Sequence, residues 1–135
     1  MAGFEILEHT ADVGVRAFGE SLPELFEQAT RGLAHVAGIW TTGEGERVDV
    51  AVEGDDLGGL LVDWLSEILW LHDSRDMFLT SVEVASVDRG VKGNVRLVAR
   101  GSRAATGTQV KAITYHQLRV ERIAMGWKAD VYLDV

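Results

Sequence analysis

A chain of 135 residues, 47% hydrophobic and 25% charged, has the make-up of one folded domain over 1–135 and not of a disordered segment. It has no cysteine, which excludes disulfide scaffolds, thiolate-bound zinc and thiol catalysis. Its formal net charge of −8 opposes a phosphate backbone, so no strong direct binding of RNA is expected.

Met1 to Glu5 lacks the basic start and apolar run of a signal peptide. No apolar stretch is long enough to span a bilayer, so no membrane association and a cytoplasmic location are expected. His9-Thr10-Ala11-Asp12 leads into a strand in which Val13, Val15 and Ala17 alternate with Gly14, Arg16 and Phe18. A helix is predicted from about Ser21 to Ala37. Ser21 and Glu24 form a capping box, Pro23 suits the first turn, and Gly38 is the stop. Leu22, Leu25, Phe26, Ala29, Leu33 and Val36 make its apolar stripe.

Val48, Val50 and Val52 mark the next strand. A second helix is predicted from about Asp55 to His72, capped by Asp55 or Asp56. Leu57, Leu60, Leu61, Trp64, Leu65, Ile68 and Leu71 give it a broad apolar face, suited to lying on a sheet. Segments near Thr80 to Val87 and Val91 to Arg100 flank the turn Asp88-Arg89-Gly90 as a hairpin. Gly101 to Gly107 reads as a polar loop. Gln109 to Glu121 and Trp127 to Val135 form a last long pair, turning near Ala124-Met125-Gly126. The pattern predicts an α+β fold: a two-layer sandwich with a mostly antiparallel or mixed sheet and two helices on one face.

Chemistry-bearing residues are few. In the last strand Lys128, Asp130, Tyr132 and Asp134 face away from Trp127, Ala129, Val131, Leu133 and Val135. Asp134 therefore lies beside the carboxylate of Val135, and two such groups repel unless a cation sits between them. The alternative is a solvated tail. Asp12 either closes a turn through its own backbone or adds a third carboxylate. Oxygen donors without sulfur or clustered imidazole suit calcium or magnesium. Spacing alone does not bring Asp12 to Asp134.

Lys111 could neutralise such a cluster, and His116 is either a ligand or a satisfied polar residue at a core edge. Asp56, Asp63, Glu67 and Trp70 fall along one flank of the second helix. That flank is either a docking surface for a basic partner or a solvated edge. The sequence holds no nucleophile elbow, phosphate-binding glycine loop, dinucleotide fingerprint or HExxH motif. His9, His35, His72 and His116 lack zinc-ligand spacing. A metal-dependent hydrolase built on Asp12, His9 and His116 lacks a visible nucleophile–base set, so the expectation is a protein that is not an enzyme.

His9-Thr10-Ala11-Asp12-Val13-Gly14, the run from Leu60 to Leu69, Lys111-Ala112-Ile113-Thr114-Tyr115-His116, Gly126-Trp127 and the ending Leu133-Asp134-Val135 together resemble the archease family, over essentially the whole chain. The resemblance implies an accessory protein of the GTP-dependent RtcB-type RNA ligase in tRNA splicing. It implies promotion of the ligase's guanylylation and multiple turnover, or a more general chaperone-like action. A general chaperone would need an exposed apolar patch, for which Trp40 and Trp70 are candidates. The resemblance also implies a divalent ion, calcium by preference, held by Asp12, Asp134 and Val135, with a functional role for Lys111. Archeases usually carry an acidic, His-containing insertion before the KAxTYH strand. Here Gly101 to Gly107 is short and has no Asp, Glu or His.

Overall fold

The computed structural model describes residues 2–8, 12–101 and 106–135. In chain order the elements are β1 (Gly3–Glu8), β2 (Asp12–Gly19), α1 (Leu22–Ala37), β3 (Glu46–Glu53), α2 (Leu57–Arg75), β4 (Met77–Val87), β5 (Gly90–Ala99), β6 (Ala112–Ile123) and β7 (Gly126–Asp134). They build an α+β fold, as expected, with every named strand pair antiparallel. The strand pattern did not specify the division into two sheets. One has the order β1-β2-β7-β6 and the other β3-β5-β4.

Local signals explain both helices. Ser21 caps α1 by accepting the Glu24 N–H at 3.3 Å, and the Glu24 carboxylate accepts the Glu20 N–H at 2.9 Å. Gly38 ends the helix in the left-handed region, at φ 68°. Asp56 caps α2 through the Gly59 N–H at 2.7 Å. That helix runs to Arg75, past the expected His72, because Asp73-Ser74-Arg75 contains no glycine or proline to stop it. It ends instead on Asp76 at φ 52°.

Both helices pack on both sheets. α1 meets β1, β2 and β7 of the first and β4 of the second, while α2 meets β6 of the first and β3, β4 and β5 of the second. This explains why α2 is buried at Leu60, Leu61, Val62, Trp64, Leu65, Ile68, Leu69 and Leu71, an arc too wide for contact with one layer. α1 approaches β2 closely because Gly32 has no side chain. A Cβ there would stand 2.4 Å from Val15 Cγ1. The outer edge of β4 is covered: Leu79 pairs with the main chain of Ile39 and Thr41, and Glu27 accepts the Val84 N–H at 2.8 Å.

β1 was not expected from the sequence. Phe4 and Ile6 pack against the core, and the strand pairs with β2 from Gly3↔Phe18 to Glu8↔Val13. No described helix is long and apolar enough to cross a membrane.

The helices are joined by one buried polar link. The Trp64 indole N–H donates to Thr30 Oγ1 at 2.9 Å, and Thr30 Oγ1 donates to the Phe26 carbonyl at 2.7 Å. Both residues are fully buried. Thr30→Val leaves the indole N–H without an acceptor and should lower unfolding free energy by about 1–3 kcal/mol, read as a lower urea midpoint at unchanged slope.

Candidate functional site

β2 and β7 lie side by side in the middle of the first sheet, and their register decides what meets at its end. Asp12 stands directly opposite Asp134, followed by Val13↔Leu133, Gly14↔Tyr132, Val15↔Val131 and Arg16↔Asp130. Val15, Ala17, Ala129, Val131 and Leu133 are buried against the helices. The pleat therefore sends Asp12 and Asp134 together onto the outer face. Opposed residues on one face have Cβ atoms roughly 4.5–5.5 Å apart, close enough for two carboxylates to share one cation.

The third strand closes the tip. Ala112 of β6 is in register with Asp134 on its other side, and its methyl group leaves space above the sheet. The Lys111 N–H donates to the Asp134 carbonyl at 2.7 Å, which fastens Lys111 to the tip while its side chain stays exposed. Val135, half-buried against the core, follows Asp134 and brings its main-chain oxygen to the same end of the sheet.

The tip thus offers two carboxylates and main-chain oxygens, a donor set that fits a hard cation such as calcium. Among the described residues no group of three or more His, Cys, Asp or Glu side chains gathers. Such an ion would complete its shell with main-chain oxygens and water. His9, Thr10 and Ala11 lie outside the described residues, as do Ser102 to Ala105 of the short loop.

His116 is not on the regular pleat expected for it. Between Thr114 and Arg119 strand β6 carries Tyr115, His116, Gln117 and Leu118, where β7 has only Val131 between Tyr132 and Asp130. This bulge breaks the alternation that would have aligned His116 with Ala112 and Thr114. His116 is exposed, and its N–H donates to Thr114 Oγ1 at 3.3 Å.

On α2, Asp63 is exposed, Glu67 is half-buried and Trp70 is 56% exposed, so the predicted flank faces solvent. Asp56 is engaged as the cap. Trp40 is half-buried, with the Arg31 guanidinium 4.9 Å from its ring centroid, and does not form an open apolar patch.

Sequence reasoning passed over the middle of the outer face. Arg16 is held by Asp130 through two bonds, Nε–Oδ1 at 2.8 Å and Nη2–Oδ2 at 3.0 Å. The hydrogen bond to Asp130, and then its charge, hold the Arg16 guanidinium above its ordinary pKa. Tyr132 leans over Gly14, where a Cβ would meet Tyr132 Cε1 at 2.8 Å. The available signal was the like spacing of Gly14 and Arg16 within β2 and of Tyr132 and Asp130 within β7.

Fold and tip together define a small α+β protein with an acidic, oxygen-rich end built from its first and last long strands. The model of the archease protein family matches residues 4–135. Protein archease of Methanosarcina mazei is 38% identical, over 98% of this chain and 95% of its own length. That of Pyrococcus furiosus is 34% identical over the whole of both chains. The solution structure of protein 1598 from Methanobacterium thermoautotrophicum matches with a TM-score of 0.77 at 31% identity, covering 98% of this chain and 99% of that one. A crystal structure of an archease from Thermotoga maritima, described as a possible chaperone, matches with a TM-score of 0.70 at 26% identity, covering 97% and 96%. The chain belongs to the archease family.

Like charges placed directly opposite each other on one face of a sheet destabilise it. In calcium-free buffer Asp134→Asn should therefore raise unfolding free energy, by about 0.2–1 kcal/mol. Added calcium should raise the melting temperature of the parent protein and leave that of the variant nearly unchanged. Equal calcium shifts in both proteins rule out Asp134 as a ligand.

Proposed function

We propose that this protein is a metal-binding accessory factor that activates an RtcB-type, GTP-dependent RNA ligase in tRNA splicing and RNA repair, working in the cytoplasm. The observation that carries the metal reading is the cross-strand pairing of Asp12 with Asp134. The Asp12 and Asp134 carboxylates and the Val135 main chain would hold a divalent ion, calcium by preference. Once bound, that ion supplies positive charge at an otherwise acidic tip and stiffens the junction of β2 and β7.

Lys111 adds a second positive group at the same end, fastened by its main-chain bond to Asp134. The exposed His116 of the β6 bulge, and His9, which lies outside the described residues, would contact the partner. The net charge of −8 points to a protein partner with a basic surface. The exposed α2 flank supports this: among the described residues Asp63 and Glu67 form no ion pair, and Trp70 stands beside them. Promotion of ligase guanylylation and of repeated turnover is the activity assigned to this surface.

A broader chaperone-like role is the second reading. It is favoured by the description of the Thermotoga maritima relative and by the exposure of Trp70, Tyr115 and Met125.

Ligase guanylylation and multiple-turnover sealing, measured with Asp12→Ala, Asp134→Ala and Lys111→Ala, separate the two. Both Asp variants should bind calcium roughly tenfold more weakly or worse, and all three should lose stimulation. Full stimulation by all three variants would overturn the tip as the functional site. Suppression of aggregation of unrelated proteins, with no effect on the ligase, would favour the chaperone reading.

A further inference from the structure

The β6 bulge opens a second feature on the outer face. Gln117 takes φ 53°, a left-handed conformation uncommon for a residue with a long side chain. Leu118 pins the bulge to α2: a Cβ at Gly58 would sit 2.9 Å from Leu118 Cδ2. Beside the bulge lies a cleft of about 410 Å³ lined by Arg16, Gln117, Leu118, Arg119, Asp130 and Tyr132. Clefts that hold small ligands begin at roughly 300 Å³.

Two guanidinium groups and one carboxylate line this cleft, a local positive excess in a chain of net charge −8. Arg16 occupies both oxygens of Asp130. Arg119 stands opposite the same Asp130 in the strand register, yet among the described residues it forms no ion pair. Its partner across the strands is already taken. An exposed guanidinium fork, a carboxamide and an aromatic ring thus surround one space. The larger cleft around Gly54 has the opposite balance, with Glu53, Asp55, Asp56 and Asp88 against Arg89 and Lys92.

We propose that the cleft beside the β6 bulge binds a mononucleotide, its phosphate on Arg119 and Gln117 and its base against Tyr132. A phosphate suits the site better than a carboxylate. Its oxygens can take both prongs of the Arg119 fork and still reach the Gln117 amide, whereas a carboxylate has only two oxygens. The tyrosine ring offers a stacking surface that tolerates any base. The net charge disfavours a long phosphate chain, so the free nucleotide is the ligand and not an RNA strand. The cleft and the acidic tip are distinct: along β7, at ~3.3 Å per residue, Asp130 lies about 13 Å from Asp134 and Tyr132 about 7 Å from it.

The test is a titration of the ¹⁵N-labelled full chain, followed by amide chemical shifts, with adenosine 5′-monophosphate, adenosine, inorganic phosphate and a short 5′-phosphorylated oligoribonucleotide. The nucleotide should shift the amides of 117–119 and 130–132 saturably. It should bind roughly tenfold or more tightly than either fragment alone. Arg119→Ala, an exposed substitution that leaves the melting temperature unchanged, should weaken binding by roughly tenfold or more, and Arg119→Lys should recover part of it. Asp134→Ala should bind as the parent does, which keeps this result independent of the metal tip. Absence of saturable shifts in the cleft, equal binding of nucleotide and adenosine, or unchanged binding in Arg119→Ala overturns the proposal. Tighter binding of the oligoribonucleotide than of the nucleotide overturns the choice of a free ligand.

Discussion

The pairing of β2 with β7 is the contact on which the other arrangements depend. These strands come from opposite ends of the chain and lie at the centre of the larger sheet. Eight registered pairs, from Asp12↔Asp134 to Gly19↔Trp127, hold them in place. On the inner face that register stacks Val15, Ala17, Ala129, Val131 and Leu133 under the helices. On the outer face it lines up the acidic pair, the tyrosine over Gly14, and the Arg16–Asp130 bond. A slip of one residue would exchange the two faces, bury the carboxylates and expose the core. Burial of an uncompensated carboxylate is far costlier than loss of any single apolar contact, so core and tip enforce the same register.

The helices make that register rigid. α2 is buried over most of its circumference because two sheets need it. Trp64, at its middle, is tied to α1 through Thr30. α1 in turn lies on β2 at the distance that Gly32 permits. The same packing leaves the outer face of the first sheet uncovered. An uncovered antiparallel sheet face is common, but here it carries opposed aspartates, a bidentate arginine and a strand bulge in place of a plain polar surface. Membership of the archease family agrees with an accessory role.

Charge divides this surface into zones. The tip concentrates carboxylates where a cation can neutralise them, and the α2 flank holds Asp63 and Glu67 beside Trp70 where a basic partner can. The cleft by the bulge is the place where positive charge is left over.

Much of the architecture was legible from local signals. Ser21 with Glu24, Pro23 and Gly38 bounded α1 closely, because caps act within one helical turn. Asp88-Arg89-Gly90 and Ala124-Met125-Gly126 marked both hairpins for the same reason. β1 escaped notice because six residues with two half-buried apolar side chains on the core, Phe4 and Ile6, carry little periodic signal. The split into two sheets was also beyond reach, since strand pairing depends on partners distant in sequence. The family likeness suggested that Asp12 and Asp134 act together, but only the β2–β7 register makes them neighbours. The bulge that displaces His116 and frees Arg119 had no local signature, for Gln117 is not a residue that favours a left-handed turn. Sequence alone therefore determined which segments coil or extend and which residues carry charge. Tertiary structure decided which of those charges meet, because each such meeting depends on long-range register and on packing against the helices.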